Sequence, residues 1–187
     1  MRVSCSWQDI EVNYPFGEWV HTTVVKNDNG TKLYLNGELV AETSSTELPS
    51  DNTFYIGTQW NNNNNEHWNG KIDEVRVWNI ALTEAEIQSN YNIELSGDES
   101  GLIGYWNFNE GTGTTLTDQT SNDNDGTITG ASWTGNGAPV TEATTVTNTH
   151  SLSFDGVDDY ANIVDLSSSV DNSNLTLMGW FKSTSNG

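Results

Sequence analysis

Apolar and polar positions alternate in short runs along most of the chain. Val20–Val25, Leu33–Leu35 and Leu39–Ala41 are β-prone. Asn36-Gly37 separates the last two, and a two-residue Asn-Gly between such runs is a strong hairpin signal. Asp28-Asn29-Gly30 closes the preceding pair, so a three-strand meander is expected over about 19–26, 31–35 and 38–43. Phe54–Gly57 reads as a further strand. Ile72–Trp78 alternates with period two, which predicts Ile72, Glu74, Arg76 and Trp78 on one face and Asp73, Val75 and Val77 on the other. One helix is signalled over about 83–91: Thr83 with Glu86 forms a capping box, and Leu82, Ile87 and Tyr91 give an apolar stripe. Beyond it, Leu102–Phe108, Gly126–Trp133, His150–Phe154, Tyr160–Val164 and Leu175–Phe181 are expected as strands, and Thr141–Thr149 as an extended connection or edge strand. About ten strands and one short helix predict an all-β sandwich.

Composition sharpens this. Asn, Thr, Ser and Gly supply 82 of the 187 residues, which suits strands and turns rather than a helical bundle. Hydrophobic residues are only 34%, yet eight Trp, six Tyr and five Phe supply enough bulk for a core. Trp19, Trp78, Trp106, Trp133 and Trp180 fall inside strand runs and are expected there. The 26 acidic against six basic residues give a net charge of −20, which excludes a nucleic-acid surface and a polybasic membrane surface. No apolar run is long enough to span a bilayer, so no membrane insertion is expected. The single cysteine, Cys5, excludes an internal disulfide and reads as a small hydrophobe.

Three groups of motifs carry a resemblance. The first is Gly17-Glu18-Trp19-Val20-His21 followed by Lys32-Leu33-Tyr34-Leu35-Asn36-Gly37. The second is Asn69-Gly70-Lys71-Ile72-Asp73-Glu74-Val75-Arg76-Val77-Trp78 with the Thr83–Ile87 helix start. The third is Gly104-Tyr105-Trp106-Asn107-Phe108 with Leu152-Ser153-Phe154-Asp155-Gly156-Val157-Asp158-Asp159-Tyr160. Together they resemble the bacterial laminin-G-like, concanavalin A-like lectin and glucanase family. The resemblance implies a jelly-roll β-sandwich. It says little about function, because this fold hosts lectins, enzymes and adhesion repeats.

In that family the Tyr-Trp-x-Phe and Phe-Asp-Gly motifs open a domain, and the Leu-Asn-Gly and Ile-Asp-Glu-Val motifs close it. Here the order is reversed. Residues 1–95 resemble the C-terminal half of a laminin-G-like domain, 96–100 a connector, and 101–187 the N-terminal half. Two explanations stand: a slice across two tandem repeats, or a circularly permuted single domain. A half-sandwich exposes an apolar face and open strand edges. The halves are therefore expected to complete one another, within one molecule or head-to-tail between copies in a filament.

Catalytic motifs are missing: there is no Gly-x-Ser-x-Gly, His-Glu-x-x-His or phosphate loop, nor the Glu-x-Asp-x-x-Glu strand of the family's hydrolases. On a regular strand Asp73 and Glu74 point to opposite faces and form no facing acid pair. The expectation is a non-catalytic protein. Calcium is the better chemistry, since it takes six to eight oxygen ligands. Asp118, Asp123 and Asp125 lie in one stretch, and Asp155, Asp158 and Asp159 in another. Ser121–Gly126 departs from the EF-hand pattern at its first and twelfth positions, where Ser121 and Ser132 stand. The resemblance implies a structural calcium between the domain's first loop and the Phe-Asp-Gly turn, held by Asp118, Asp155 and Asp158. Asn109 stands where the family usually has Asp. A sugar site is suggested by Trp60–Trp68, where Trp60, Asn63, Glu66 and His67 offer an aromatic platform with amide and charged partners. The alternative there is an Asn-rich hairpin tip with Trp68 in the core. The function expected is a lectin-like or adhesion repeat of a secreted or bacterial surface protein that binds a glycan or cell-surface polysaccharide, with a self-completing structural protomer as its rival.

Overall fold

The computed structural model describes residues 2–5, 8–46, 53–58, 66–141, 148–164, 166 and 174–184. The strands are β1 (Arg2–Cys5), β2 (Gln8–Glu11), β3 (Val20–Asn27), β4 (Gly30–Leu35), β5 (Glu38–Thr43), β6 (Thr53–Ile56) and β7 (Asn69–Trp78). After helix α1 (Glu84–Asn90) come β8 (Leu102–Trp106), β9 (Thr115–Leu116), β10 (Gly126–Thr129), β11 (Ser132–Gly135), β12 (His150–Asp155), β13 (Tyr160–Val164) and β14 (Leu175–Ser183).

Local signals act where the turn chemistry is strong. Asn36 and Gly37 both take positive φ, 49° and 80°, and Leu35 pairs with Glu38, as a two-residue hairpin with a primed turn requires. Thr83 caps α1: its Oγ1 accepts from the Glu86 amide, and the Glu86 carboxylate accepts from the Thr83 amide at 2.7 Å. Ile87 is fully buried beneath the helix.

The architecture is a sandwich of antiparallel sheets. The large sheet runs β11-β12-β7-β14-β3-β4-β5, with β8 also on β7. The small sheet runs β6-β13-β10-β9, and β1 pairs β2 separately. Strands from 1–95 and from 101–187 interleave in both sheets. β14 lies between β3 and β7, and β13 pairs β6. The core between the sheets draws on both segments, with Ile56, Ile72, Val75 and Val77 against Trp106, Phe108, Leu116, Leu152, Phe154 and Ile163. A second apolar layer, including Val25, Tyr34, Trp78, Ile87, Tyr105 and Met178, fills the space between the large sheet and α1.

Two expectations need correction. Gly126–Trp133 is not one strand: β10 joins the small sheet and β11 the large one, across a turn at Gly130 with φ 77°. The strict alternation over Ile72–Trp78 also breaks. Met178 pairs with Arg76 and Trp180 with Asp73, so Gly179 alone faces both Glu74 and Val75, and Glu74 has φ 54°. This is a β-bulge, and the extra residue shifts the phase by one. Ile72, Val75 and Val77 therefore share the inner core, while Glu74 and Arg76 lie on the helix side.

Asp73 and Glu74 are nevertheless both fully buried. Asp73 accepts from the Ala138 amide at 2.6 Å and the Asn148 amide group at 2.9 Å. Glu74 meets Arg76 at 2.6 Å and accepts from the Tyr105 hydroxyl at 2.9 Å. Burial, then the neighbouring Glu74 charge, push the Asp73 carboxyl well above its ordinary range. Arg76 also donates to the carbonyls of Asn90 and Ile93, and Trp180 to that of Tyr91, so the segment after α1 is pinned by β7 and β14. Glu74 anchors that segment through Arg76, and Asp73 anchors the chain at Ala138 and Asn148.

Of the tryptophans, Trp78, Trp106 and Trp180 are buried, while Trp19 and Trp133 are half-buried. The Cys5 side chain and most of Thr141–Thr149 lie outside the described residues.

Candidate functional site

The β12–β13 turn is built on Gly156, whose φ is 83°. A Cβ there would come within 2.9 Å of the Asn69 side chain, so glycine is needed for both the conformation and the close approach. The turn is tied by its own acids. The Val157 amide donates to Asp155 at 2.8 Å, and the Asp155 amide donates to Asp159 at 2.7 Å.

The result brings one ligand oxygen each from Asp155, Asp158 and Asp159 within 4.8 Å of one another. Asp155 and Asp158 are exposed and Asp159 is buried. Burial, then the charges of Asp155 and Asp158, raise the Asp159 carboxyl above its ordinary value, against a lowering by the Asp155 amide and His67. Two oxygens on one calcium ion at 2.3–2.6 Å can be no more than about 5 Å apart, so this spacing fits a shared ion. The donors are all hard carboxylate oxygens, which suits calcium rather than a soft metal.

Asp118 is placed elsewhere and is not part of that group. Its Oδ1 accepts from the amides of Tyr105 and Thr120, each at 3.0 Å. Its Oδ2 accepts from the Thr120 hydroxyl at 2.8 Å and the Asn124 amide at 3.0 Å. The neighbouring Asp125 accepts from the Asp118 amide at 2.9 Å. Asn109 accepts from the Thr149 amide at 3.0 Å.

The sugar-site candidates divide. Trp60 and Asn63 lie outside the described residues. Glu66 is exposed, and His67 is half-buried and bridged to Thr58, two residues beyond Ile56, which pairs with Ala161 near the start of β13. Trp68 packs against the core, edge-on to Phe181 at 5.5 Å. Glu66–His67 thus borders the acidic turn, so the two candidate sites share one rim of the sandwich. Asp159 was the residue left out of the expected ligand set. Its signal was in the sequence, as the third aspartate of the Asp155–Asp159 stretch, and the fold packs it so closely that a Cβ on Gly130 would fall 2.0 Å from its Oδ1.

Residues 4–88 match a laminin-G-type family model described as the concanavalin A-like lectin/glucanases superfamily, the family that the motifs resemble. The antiparallel sandwich with its single short helix among the described residues accords with that family's jelly-roll. No curated protein and no solved structure matches the chain. Among the described residues, no helix is long and apolar enough to cross a membrane.

Proposed function

We propose that the chain is a non-catalytic, lectin-like adhesion repeat of a secreted or cell-surface protein, with calcium held at the β12–β13 rim and a glycan contacted beside it. The observation that carries this reading is the convergence of Asp155, Asp158 and Asp159 at the end of the sandwich where β13 runs beside β6 and His67 bridges to Thr58. Three like charges on one turn repel each other, and a divalent cation removes that cost. A calcium-ordered rim then presents Glu66 and His67 to sugar hydroxyls, and Trp60 and Asn63 are the sugar-site candidates that the sequence adds. A glycan array read with and without calcium tests this. Binding that needs calcium and falls with Glu66→Ala or Trp60→Ala supports the reading, and a blank array in both conditions removes it.

A second reading concerns assembly. We propose that 1–95 and 101–187 are complementary halves of one laminin-G-like sandwich joined by 96–100. It is supported by the position of β14 between β3 and β7, with β13 against β6. The same strand contacts could be made between copies, giving a head-to-tail filament. Light scattering across protein concentration and salt separates the two: a constant monomer mass at every condition overturns the filament. Expressing 1–95 and 101–187 apart and together tests the complementarity. A cooperative melt from either alone overturns it.

A further inference from the structure

Five Asn-Gly pairs stand in this chain, at 29–30, 36–37, 69–70, 136–137 and 186–187, and the last lies outside the described residues. In such a pair the glycine nitrogen can attack the Asn side-chain carbonyl carbon, because no Cβ hinders the approach. Asn29, Asn36, Asn69 and Asn136 are all exposed, so exposure does not separate them. What separates them is how firmly the fold holds the two reacting groups.

Three pairs are held. The Asn36 Oδ1 accepts from the His21 amide at 2.9 Å, inside the turn closed by Leu35 and Glu38. The Asn69 Oδ1 accepts from the Thr184 hydroxyl at 2.6 Å, and Gly70 is paired on both sides, with Phe154 and Ser183. Gly30 is buried in β4 and closes its hairpin opposite Asn27. Asn136-Gly137, by contrast, lies just beyond β11. Among the described residues its carboxamide and the Gly137 amide have no hydrogen-bond partner, and only the Asn136 carbonyl is engaged, by the Ser151 hydroxyl at 3.4 Å.

The fold also demands this reactive pair. Asn136 has φ 72°, a left-handed conformation in which asparagine is enriched. A Cβ on Gly137 would fall 2.6 Å from the Asn148 Oδ1 and 2.8 Å from the Asn148 carbonyl oxygen, so glycine is required. The next residue, Ala138, is buried and gripped: its amide donates to Asp73 at 2.6 Å, and its carbonyl accepts from Asn148 at 3.0 Å.

We propose that Asn136 is a self-modification site whose deamidation loosens the Asp73 anchor. The Gly137 nitrogen bonds to the Asn136 Cγ and gives up its proton, and the Cγ–Nδ2 bond breaks with release of ammonia, leaving a succinimide. Water then opens the ring. Attack at Cγ gives aspartate, and attack at the main-chain carbonyl carbon gives isoaspartate, whose backbone is one carbon longer. No redox partner is needed. The added carbon moves Ala138 out of step with Asp73, and a buried carboxyl loses a donor. The site is independent of the acidic rim.

The test incubates the whole chain in warm, mildly alkaline buffer, once folded and once unfolded in urea. Digestion at glutamate releases 111–142, in which electron-transfer fragmentation locates the acid and separates aspartate from isoaspartate. In the folded chain Asn136 should react about tenfold or more faster than Asn29, Asn36 and Asn69, because the held pairs must open first. In urea the four rates should converge. The isoaspartate form, isolated by ion exchange, should melt below the parent, whereas Asn136→Asp, which adds the charge without lengthening the backbone, should melt with it. Another asparagine leading in the folded chain, or no reaction at Asn136, overturns the site. An isoaspartate form that melts with the parent, or Asn136→Asp melting as low as that form, overturns the loosening.

Discussion

The loops 118–125 and 155–159 each carry three aspartates, and the fold uses them in opposite ways. Asp118 is buried and spends both oxygens on four donors from Tyr105, Thr120 and Asn124. It thereby fastens the loop to β8, while the Asn124 carbonyl accepts from the buried Trp106 indole at 3.0 Å. In the second loop each turn amide takes one oxygen from Asp155 and Asp159, and the three carboxylates still crowd within 4.8 Å. The first loop ties Asp118 down with amide and hydroxyl donors from β8 and from its own residues. The other accumulates charge at a rim. Acidic content alone therefore does not make a metal site. What matters is whether backbone donors have already consumed the oxygens.

The largest effect expected from this contrast is at Asp118. Asp118→Ala strands buried donors, each costing roughly 1–3 kcal/mol, so a loss of about 3 kcal/mol or more is expected with or without calcium. Urea unfolding measures it, and a loss below about 1 kcal/mol would break the contrast. Next comes calcium itself. A site that exists only in the folded chain gains about 2.7 kcal/mol at a hundredfold excess over Kd. That increment should vanish in Asp158→Asn and survive in Asp118→Asn, read as melting temperature in calcium-loaded and calcium-free protein. An unchanged melting temperature in the parent chain would remove calcium from the rim.

Acidification should shrink the same increment. Asp159 has a raised folded value, so its charge costs stability above that value and the cost disappears as pH falls below the ordinary carboxylate range. Calcium needs the charged form, so protons compete with it. The calcium-dependent shift in melting temperature is therefore expected to be smaller at about pH 4.5 than at pH 7. A shift that grows on acidification would place the ion elsewhere. The smallest effect has the opposite sign to the first. Without calcium, Asp158→Asn removes repulsion at an exposed position and should change stability by no more than about 0.5 kcal/mol, towards the stable side. A clear loss would mean that Asp158 is anchored as Asp118 is.

Much of the fold was legible because its signals are local. The Asn36-Gly37 hairpin, the Thr83–Glu86 capping box and the runs at 150–154, 160–164 and 175–181 each depend on a few adjacent residues. The bulge at Glu74 was not legible. It arises where β7 meets Gly179 more than a hundred residues away, and nothing within Ile72–Trp78 announces the change of phase. The split of Gly126–Trp133 between two sheets has the same origin, since the partners of β10 and β11 are β13 and β12.

For the candidate site, the Phe-Asp-Gly-Val-Asp-Asp spacing located Asp155 and Asp158 on one turn, because a turn this short forces its side chains together. Grouping Asp118 with them relied on distance along a fold that sequence does not measure. The chain by itself determined its strand propensities, its turns, its acidic charge and the family it resembles, all of which follow from residue type and near neighbours. Only the tertiary structure decided which carboxylates were consumed by backbone amides and which strands met. Those outcomes depend on contacts between residues far apart in sequence, and the register that sets them is a property of paired strands rather than of either strand alone.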